Sequence, residues 1–181
     1  MIPLRTIQPL WQRLQLLDEA LLLRVQGWES GVLRRLMRAL THLGDTASWV
    51  VFALALAATG GAGAAHATRV AVAAGLAVAL TQPLKRLCGR RRPDAGIGGF
   101  AALVECPDVF SFPSGHTAVA FAIAVALLGP GGWLGPLSLL LALGIGLSRV
   151  YLGAHYPADV AAGVLLGAAA GWGARLLLAS F

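Results

Sequence analysis

Five long apolar runs follow one another through the C-terminal three quarters of the chain, and charge is confined almost wholly to the stretches between them. They cover residues 46–65, 67–87, 113–129, 132–150 and 157–180. A helix needs roughly 20 mostly apolar residues to cross a bilayer, so each run predicts one membrane span. Small residues crowd several of them, as in Ala71-Val72-Ala73-Ala74-Gly75 and from Gly163 to Gly173. Such surfaces let helices approach closely in lipid. Gly167 and Gly171 form a GxxxG pair that permits a dimer without requiring one, so the oligomeric state stays open. Trp49, Trp133 and Trp172 fall near run ends, where amphipathic rings suit the membrane interface.

Residues 1–45 carry a different pattern. Leu10, Leu14, Leu17, Leu21, Val25, Trp28 and Val32 recur at helical spacing, with Arg13, Asp18, Glu19, Arg24, Glu29, Arg34 and Arg35 between them. This predicts amphipathic helices lying in the interface, broken near Gly27 or Gly31. A packed helical lid over the bundle fits the same pattern. The expected organisation is an interfacial segment, 1–45, followed by a membrane domain, 46–181.

Composition narrows the class. Of 181 residues, 57% are hydrophobic and only 12% charged, which a soluble domain of this size does not need. The fold expected is therefore all-α: an integral membrane bundle of about five transmembrane helices with amphipathic helices at its N-terminus. The formal charge of +6 suits anionic lipid headgroups, and nothing resembles a nucleic-acid module. No cleavable signal peptide is expected, because the first forty residues are too charged to hold its apolar core.

The polar stretches supply the chemistry. Residues 59–66 and 129–136 are short and nearly uncharged, whereas 84–112 and 148–157 hold most reactive side chains. Counting crossings brings both rich stretches to one face of the membrane. The first cluster, Lys85-Arg86-Leu87-Cys88-Gly89-Arg90-Arg91-Arg92-Pro93, places five cations at a helix end, which by themselves read equally as headgroup anchors. The second, Phe112-Pro113-Ser114-Gly115-His116-Thr117, predicts a helix opened by Pro113. The N–H groups of Ser114, Gly115 and His116 would then point outwards and attract an anion. The third, Ser148-Arg149 through His155-Tyr156-Pro157-Ala158-Asp159, interrupts two apolar runs. Pro157 suits the first position of a new helix, with Asp159 in its first turn and within reach of His155. A carboxylate on one ring nitrogen fixes the tautomer and leaves the other free to attack or to bind. Two histidines, an aspartate, fixed cations and two helix N-termini on one face form a set suited to phosphoryl transfer. No carboxylate or His/Cys cluster suggests a metal, and no cofactor is expected. Ser114 lacks the strained elbow of a serine-hydrolase nucleophile.

These residues resemble the tripartite signature of the type 2 phosphatidic acid phosphatase superfamily. The resemblance rests on Lys85 followed after six residues by Arg92-Pro93, then Pro113-Ser114-Gly115-His116, then Ser148-Arg149, His155 and Asp159. It implies that His155 is the nucleophile, forming a phosphohistidine, with Asp159 orienting its ring and His116 protonating the leaving oxygen. It further implies that Lys85, Arg92 and Arg149 hold the phosphoryl oxygens, helped by Ser114 and the amide of Gly115, without a metal. Arg86, Arg90 and Arg91 lie outside the motif positions and are expected to touch lipid at most.

The implied activity is hydrolysis of a lipid phosphate or diphosphate: undecaprenyl diphosphate first, then phosphatidylglycerophosphate or phosphatidic acid. A lipid phosphotransferase acting on an acceptor such as lipid A, and a lipid-binding protein with a vestigial site, are the alternatives. In bacterial membrane members the catalytic face is periplasmic, which places this chain in the inner membrane with its site outside. The positive-inside rule argues the reverse, since the inner loops would then carry only His66, Arg69 and Arg175. Cys88 and Cys106 share the long polar loop, and would pair if it faces an oxidising compartment and stay thiols otherwise.

Overall fold

The computed structural model describes residues 4–28, 30–106, 108–129 and 132–179, with side chains from Arg13 onward. Eight helices follow in order: α1 (Leu4–Gln26), α2 (Gly31–Leu43), α3 (Thr46–Ala58), α4 (Gly61–Cys88), α5 (Pro93–Gly96), α6 (Gly115–Leu127), α7 (Leu134–Tyr151) and α8 (Pro157–Leu177). Among the described residues there is no strand, only an isolated antiparallel bridge between Arg91 and Phe110. The all-α membrane bundle expected from the sequence is the architecture found.

The five apolar runs correspond to α3, α4, α6, α7 and α8, but their lengths differ from expectation. Three helices, α4, α7 and α8, are long and apolar enough to cross a membrane. The pair α2 and α3, bent by 61°, makes a fourth when taken as one broken span. The break falls at Gly44-Asp45. A Cβ on Gly44 would lie 2.9 Å from Ile145 Cγ2, so only glycine lets this turn sit against α7. Where one run was expected to end at 65, α3 stops at Ala58, because Gly60 adopts φ 68 and interrupts the helix. The Gly/Ala stretch that follows then joins α4. At its other end α4 closes with Gly89 in the left-handed region, its N–H donated to the Lys85 carbonyl.

The third run, 113–129, is the central element rather than a full span. Helix α6 has only 13 residues, about 20 Å of helix against a hydrocarbon core of roughly 30 Å. Nine of them are buried between α4, α7 and α8. Phe121, Ile123 and Leu127 anchor a core shared with Val70, Ala142 and Ile145. Trp49, expected in the interfacial belt, instead packs edge-on against Phe52 in this core, their ring centroids 6.1 Å apart. Trp133 and Trp172 are exposed, as expected of interfacial rings.

The closest packing is between α6 and α8. Glycines 163, 167 and 171 form one stripe along α8. A Cβ on them would stand 2.7 Å from the carbonyl oxygen of Ser114, 2.4 Å from that of Ala118 and 2.4 Å from that of Ala122, respectively. The backbones therefore touch along two full turns, so the Gly167/Gly171 pair is spent inside the protomer.

The N-terminal helices rest on this bundle. The seam Leu14, Leu17 and Leu21 is exposed, and α1 instead buries Asp18 and Leu22, one turn apart. Leu22 packs with Val150 and Tyr156. Helix α2, capped by the Ser30 hydroxyl accepting from Leu33 N–H, lies on α7. Leu10 lies outside the residues whose side chains are described.

The glycine stripe carries a direct prediction. Gly167→Leu is expected to destabilise the protein by roughly 1–3 kcal/mol or more through overpacking, read as a lower thermal midpoint in detergent. Gly75→Ala, whose added methyl meets nothing within 4 Å, should leave the midpoint unchanged or slightly raised. A Gly167→Leu protein as stable as wild type would refute the contact.

Candidate active site

Two helix starts and two helix ends meet in one place. Pro157 occupies the first turn of α8, Tyr156 is its N-cap, and Asp159 accepts the Tyr156 N–H through Oδ2 at 2.9 Å. Ser114 is the N-cap of α6, and its N–H donates to the Asp159 carbonyl at 3.0 Å. The α6–α8 packing thus sets the two N-termini side by side. Helix α6 begins at Gly115 rather than at Pro113, since Ser114 is extended, with φ −71 and ψ 110.

His155 sits in the short link between α7 and α8, fully buried. The link is held by Ala154 and His155 N–H groups that both donate to the Arg149 carbonyl, at 3.0 and 3.1 Å. It turns at Gly153, φ 73, where a Cβ would collide with Phe100 and Gln26 at 2.7 and 2.8 Å. The Nδ1 of His155 faces Asp159 Oδ2 at 3.6 Å, and its Nε2 lies 3.3 Å from Arg92 Nη1. Burial pushes this imidazole down to about 3; Asp159 pulls it up, and the charges of Arg149 and Arg92 press it further down. The ring is therefore neutral at neutral pH, and its Nε2 accepts from Arg92 Nη1.

The cations come from three segments. Lys85 lies in the last turn of α4, buried. Arg92 follows the turn at Gly89, where the Arg91–Phe110 bridge and the Ser111 N–H to Arg90 carbonyl bond tie the ends of the polar loop together. It donates to the carbonyls of Asp108 and Ala154 at 2.6 and 2.7 Å. Arg149, in the last turn of α7, donates to Thr41 Oγ1 at 2.6 Å and approaches Cys106 Sγ at 3.7 Å. His116, second in α6, has Nε2 2.9 Å from Asp45 Oδ1, and Asp45 Oδ2 meets His42 Nδ1 at 3.1 Å.

Lys85, Arg92, Gly115, His116, Arg149 and His155 all line one cavity of about 500 Å³. Trp49, Val78 and Val119 form its apolar side. A larger, more open hollow of about 870 Å³ along residues 100–106 holds none of these six residues. Asp108 also lines the cavity, paired with Lys85 and 3.6 Å from Arg92 Nη2. Burial would raise the Asp108 carboxyl; the Lys85 ammonium, the Phe110 amide and Arg92 outweigh it and hold it below the ordinary carboxylate range.

Two residues are placed differently from expectation. The Ser114 hydroxyl is fully buried and bonded to Thr117 Oγ1 at 2.9 Å, and its N–H is taken by Asp159, so neither lines the cavity. Arg90, expected at most to touch lipid, pairs instead with Asp18 and Asp159; Arg86 and Arg91 are exposed. Cys88 and Cys106 are free thiols, the first exposed and the second turned toward Arg149. Asp45, Asp108 and Thr41 were not anticipated. Of these only Asp45 left a trace, as an N-cap type before the apolar run of α3.

Residues 66–180 match the PAP2 superfamily. The chain belongs to that superfamily. It is 37% identical over 147 residues to the decaprenylphosphoryl-5-phosphoribose phosphatase of Mycobacterium tuberculosis, covering 74% of each chain. Its fold is similar to the PAP2-type phosphatidylglycerolphosphate phosphatase of Bacillus subtilis, with a TM-score of 0.77, 27% identity, and 93% of this chain and 88% of that one covered. It is also similar to Aquifex aeolicus LpxE, with a TM-score of 0.74, 25% identity, and 90% and 94% covered. The PAP2 relatives bearing enzyme names are phosphatases, and this chain is a multi-pass membrane phosphatase of the same superfamily.

The buried neutral His155 makes stability depend on pH. The unfolded ring takes a proton below about 6.5 while the folded ring does not until about 3. Stability is therefore lost as pH falls through that window, by at most ~1.4 kcal/mol per pH unit from this group. His155→Gln removes this titration, so its unfolding midpoint should fall less than that of wild type between pH 7 and pH 4.5. Parallel curves would mean that His155 is protonated in the folded protein.

Proposed function

We propose that this PAP2 phosphatase removes a phosphoryl group from the head of a polyprenyl-linked lipid through a phosphohistidine on His155. The observation that carries the reading is the orientation of one ring: Nδ1 toward Asp159, Nε2 toward Arg92 and the cavity. A neutral Nε2 attacks phosphorus, the P–O ester bond breaks, and the proton on His116 passes to the leaving oxygen. Water then attacks phosphorus, the P–N bond breaks, phosphate leaves, and the water's proton returns to His116. Asp159 balances the positive charge that the phosphorylated ring acquires. Lys85, Arg92 and Arg149 neutralise the equatorial oxygens, with the Gly115 backbone open to the ligand, so the reaction needs no metal.

The substrate class draws support from two sides. The apolar wall of Trp49, Val78 and Val119 beside the cations suits a phosphate carried on a lipid. The Mycobacterium tuberculosis relative is named for a decaprenylphosphoryl sugar phosphate, and undecaprenyl diphosphate presents the same combination of prenyl chain and terminal phosphoryl group. In this reading the protein sits in a bacterial inner membrane with the cavity opening on the periplasmic side.

The test is phosphate release by purified protein in detergent with EDTA present. The panel holds decaprenylphosphoryl-5-phosphoribose, undecaprenyl diphosphate, phosphatidylglycerophosphate and phosphatidic acid. Turnover of the first two is expected to exceed that of the glycerolipids and to fall on the order of 10³-fold or more in His155→Ala. Release that requires a divalent metal, or that persists in His155→Ala, refutes the mechanism. Phosphate appearing only on an added lipid acceptor identifies a transferase.

A further inference from the structure

Asp159 is held from outside the motif residues. Arg90 Nη1 donates to Asp159 Oδ1 at 2.7 Å, and Arg90 Nη2 donates to Asp18 Oδ2 at 2.6 Å. The guanidinium lies over the Tyr156 ring, its carbon 4.0 Å from the centroid. Asp18 in turn accepts the Ala158 N–H at 2.8 Å through Oδ1, so α1 caps the first turn of α8. Asp18 and Asp159 are both buried. Every member of this series is bonded on both sides.

The arrangement has a consequence for His155. Asp159 Oδ1 is occupied by Arg90, and Oδ2 already accepts the Tyr156 N–H. Only the remaining capacity of Oδ2 faces His155 Nδ1, which has no hydrogen-bond partner closer than that oxygen. The position of the carboxylate relative to the ring is thus fixed by Arg90 on one oxygen and by the start of α8 on the other. Around metal-binding histidines, partners that hold the orienting carboxylate are worth about 10–100-fold in activity, and the same positioning logic applies to this ring.

We propose that Arg90 and Asp18 form a positioning relay for the nucleophile, by which α1 holds Asp159 in register with His155. The phosphate cations Lys85, Arg92 and Arg149 are separate from it, and Arg90 does not line their cavity. The proposal rests on His155 acting as the nucleophile. Arg90 is a positioning residue, not a catalytic one, and this assigns to the 1–45 segment a share in the chemistry beyond anchoring.

The experiment compares Arg90→Met, Arg90→Lys and Asp18→Asn with wild type, measuring kcat and KM separately. Arg90→Met is expected to lower kcat roughly 10–100-fold with KM within about twofold, because the cavity keeps its own cations. Arg90→Lys should restore part of the loss. Asp18→Asn should fall in the same direction, and adding it to Arg90→Met should cost little more, as expected of one relay. A rise in KM at constant kcat would make Arg90 a headgroup contact and overturn the proposal, as would wild-type kcat. A second readout needs no substrate. The Nδ1–H proton signal of His155, read by NMR in the resting protein, should shift or broaden away in Arg90→Met and survive in Arg90→Lys. An unchanged signal in Arg90→Met overturns the relay. Wild-type silence on every lipid would count against the phosphatase reading alone, leaving this signal to decide the relay.

Discussion

The site depends on how closely α8 can approach α6. Three glycines in one stripe bring the backbone of α8 against the carbonyls of Ser114, Ala118 and Ala122. Without that contact the Ser114 N–H could not reach the Asp159 carbonyl, and the two helix N-termini would not share a wall. In lipid there is little hydrophobic force between helices, so close van der Waals packing has to supply the association. The same contact therefore stabilises the bundle and brings His155 and Gly115 to one cavity. Helix α6 can be short because it does not face lipid on all sides; α4, α7 and α8 enclose it.

The motif residues were legible because their signals are local. Pro157 opening α8, Asp159 in its first turn and Arg149 in the last turn of α7 follow from rules about helix ends, and the structure keeps all three. The convergence of Lys85, Arg92, His116 and His155 followed from counting crossings alone. What hydropathy could not separate is lipid from core. Leu14, Leu17 and Leu21 form a regular seam, yet they are exposed, and the buried face of α1 is marked by Asp18 and Leu22. In a membrane protein the apolar stripe points to lipid as readily as to the interior, so periodicity loses its usual meaning.

The partners of the motif residues were less legible still. Arg90 looked like one more cation in a run of basic residues, and only the fold sets its guanidinium between two carboxylates from α1 and α8. Asp108 stands in its loop with no period or spacing to mark it, and Asp45 is marked only as an N-cap type before α3. Ser114 shows the converse. A hydroxyl at a helix N-cap suggests an anion contact, but this one is buried and pairs with the Thr117 hydroxyl at 2.9 Å.

The resting cavity is incompletely satisfied, and the imbalance is specific. Buried polar atoms in proteins are nearly always hydrogen-bonded, and those that are not need a reason. Four such side-chain atoms lack partners among the described residues, and three of them, Trp49 Nε1, Arg149 Nε and His155 Nδ1, belong to residues lining the cavity. Lys85 and Arg92 share the Asp108 carboxylate, whereas Arg149 has only a hydroxyl and a thiol. A buried guanidinium without a carboxylate is costly unless something arrives to meet it. In the proposed reaction the phosphoryl group would meet that guanidinium, and the interaction would strengthen as charge builds up on the transferring oxygens. The chain's own carboxylate, Asp108, pairs with Lys85 and Arg92 but not with Arg149, so of the three cations Arg149 is the one with most electrostatic capacity left for a substrate.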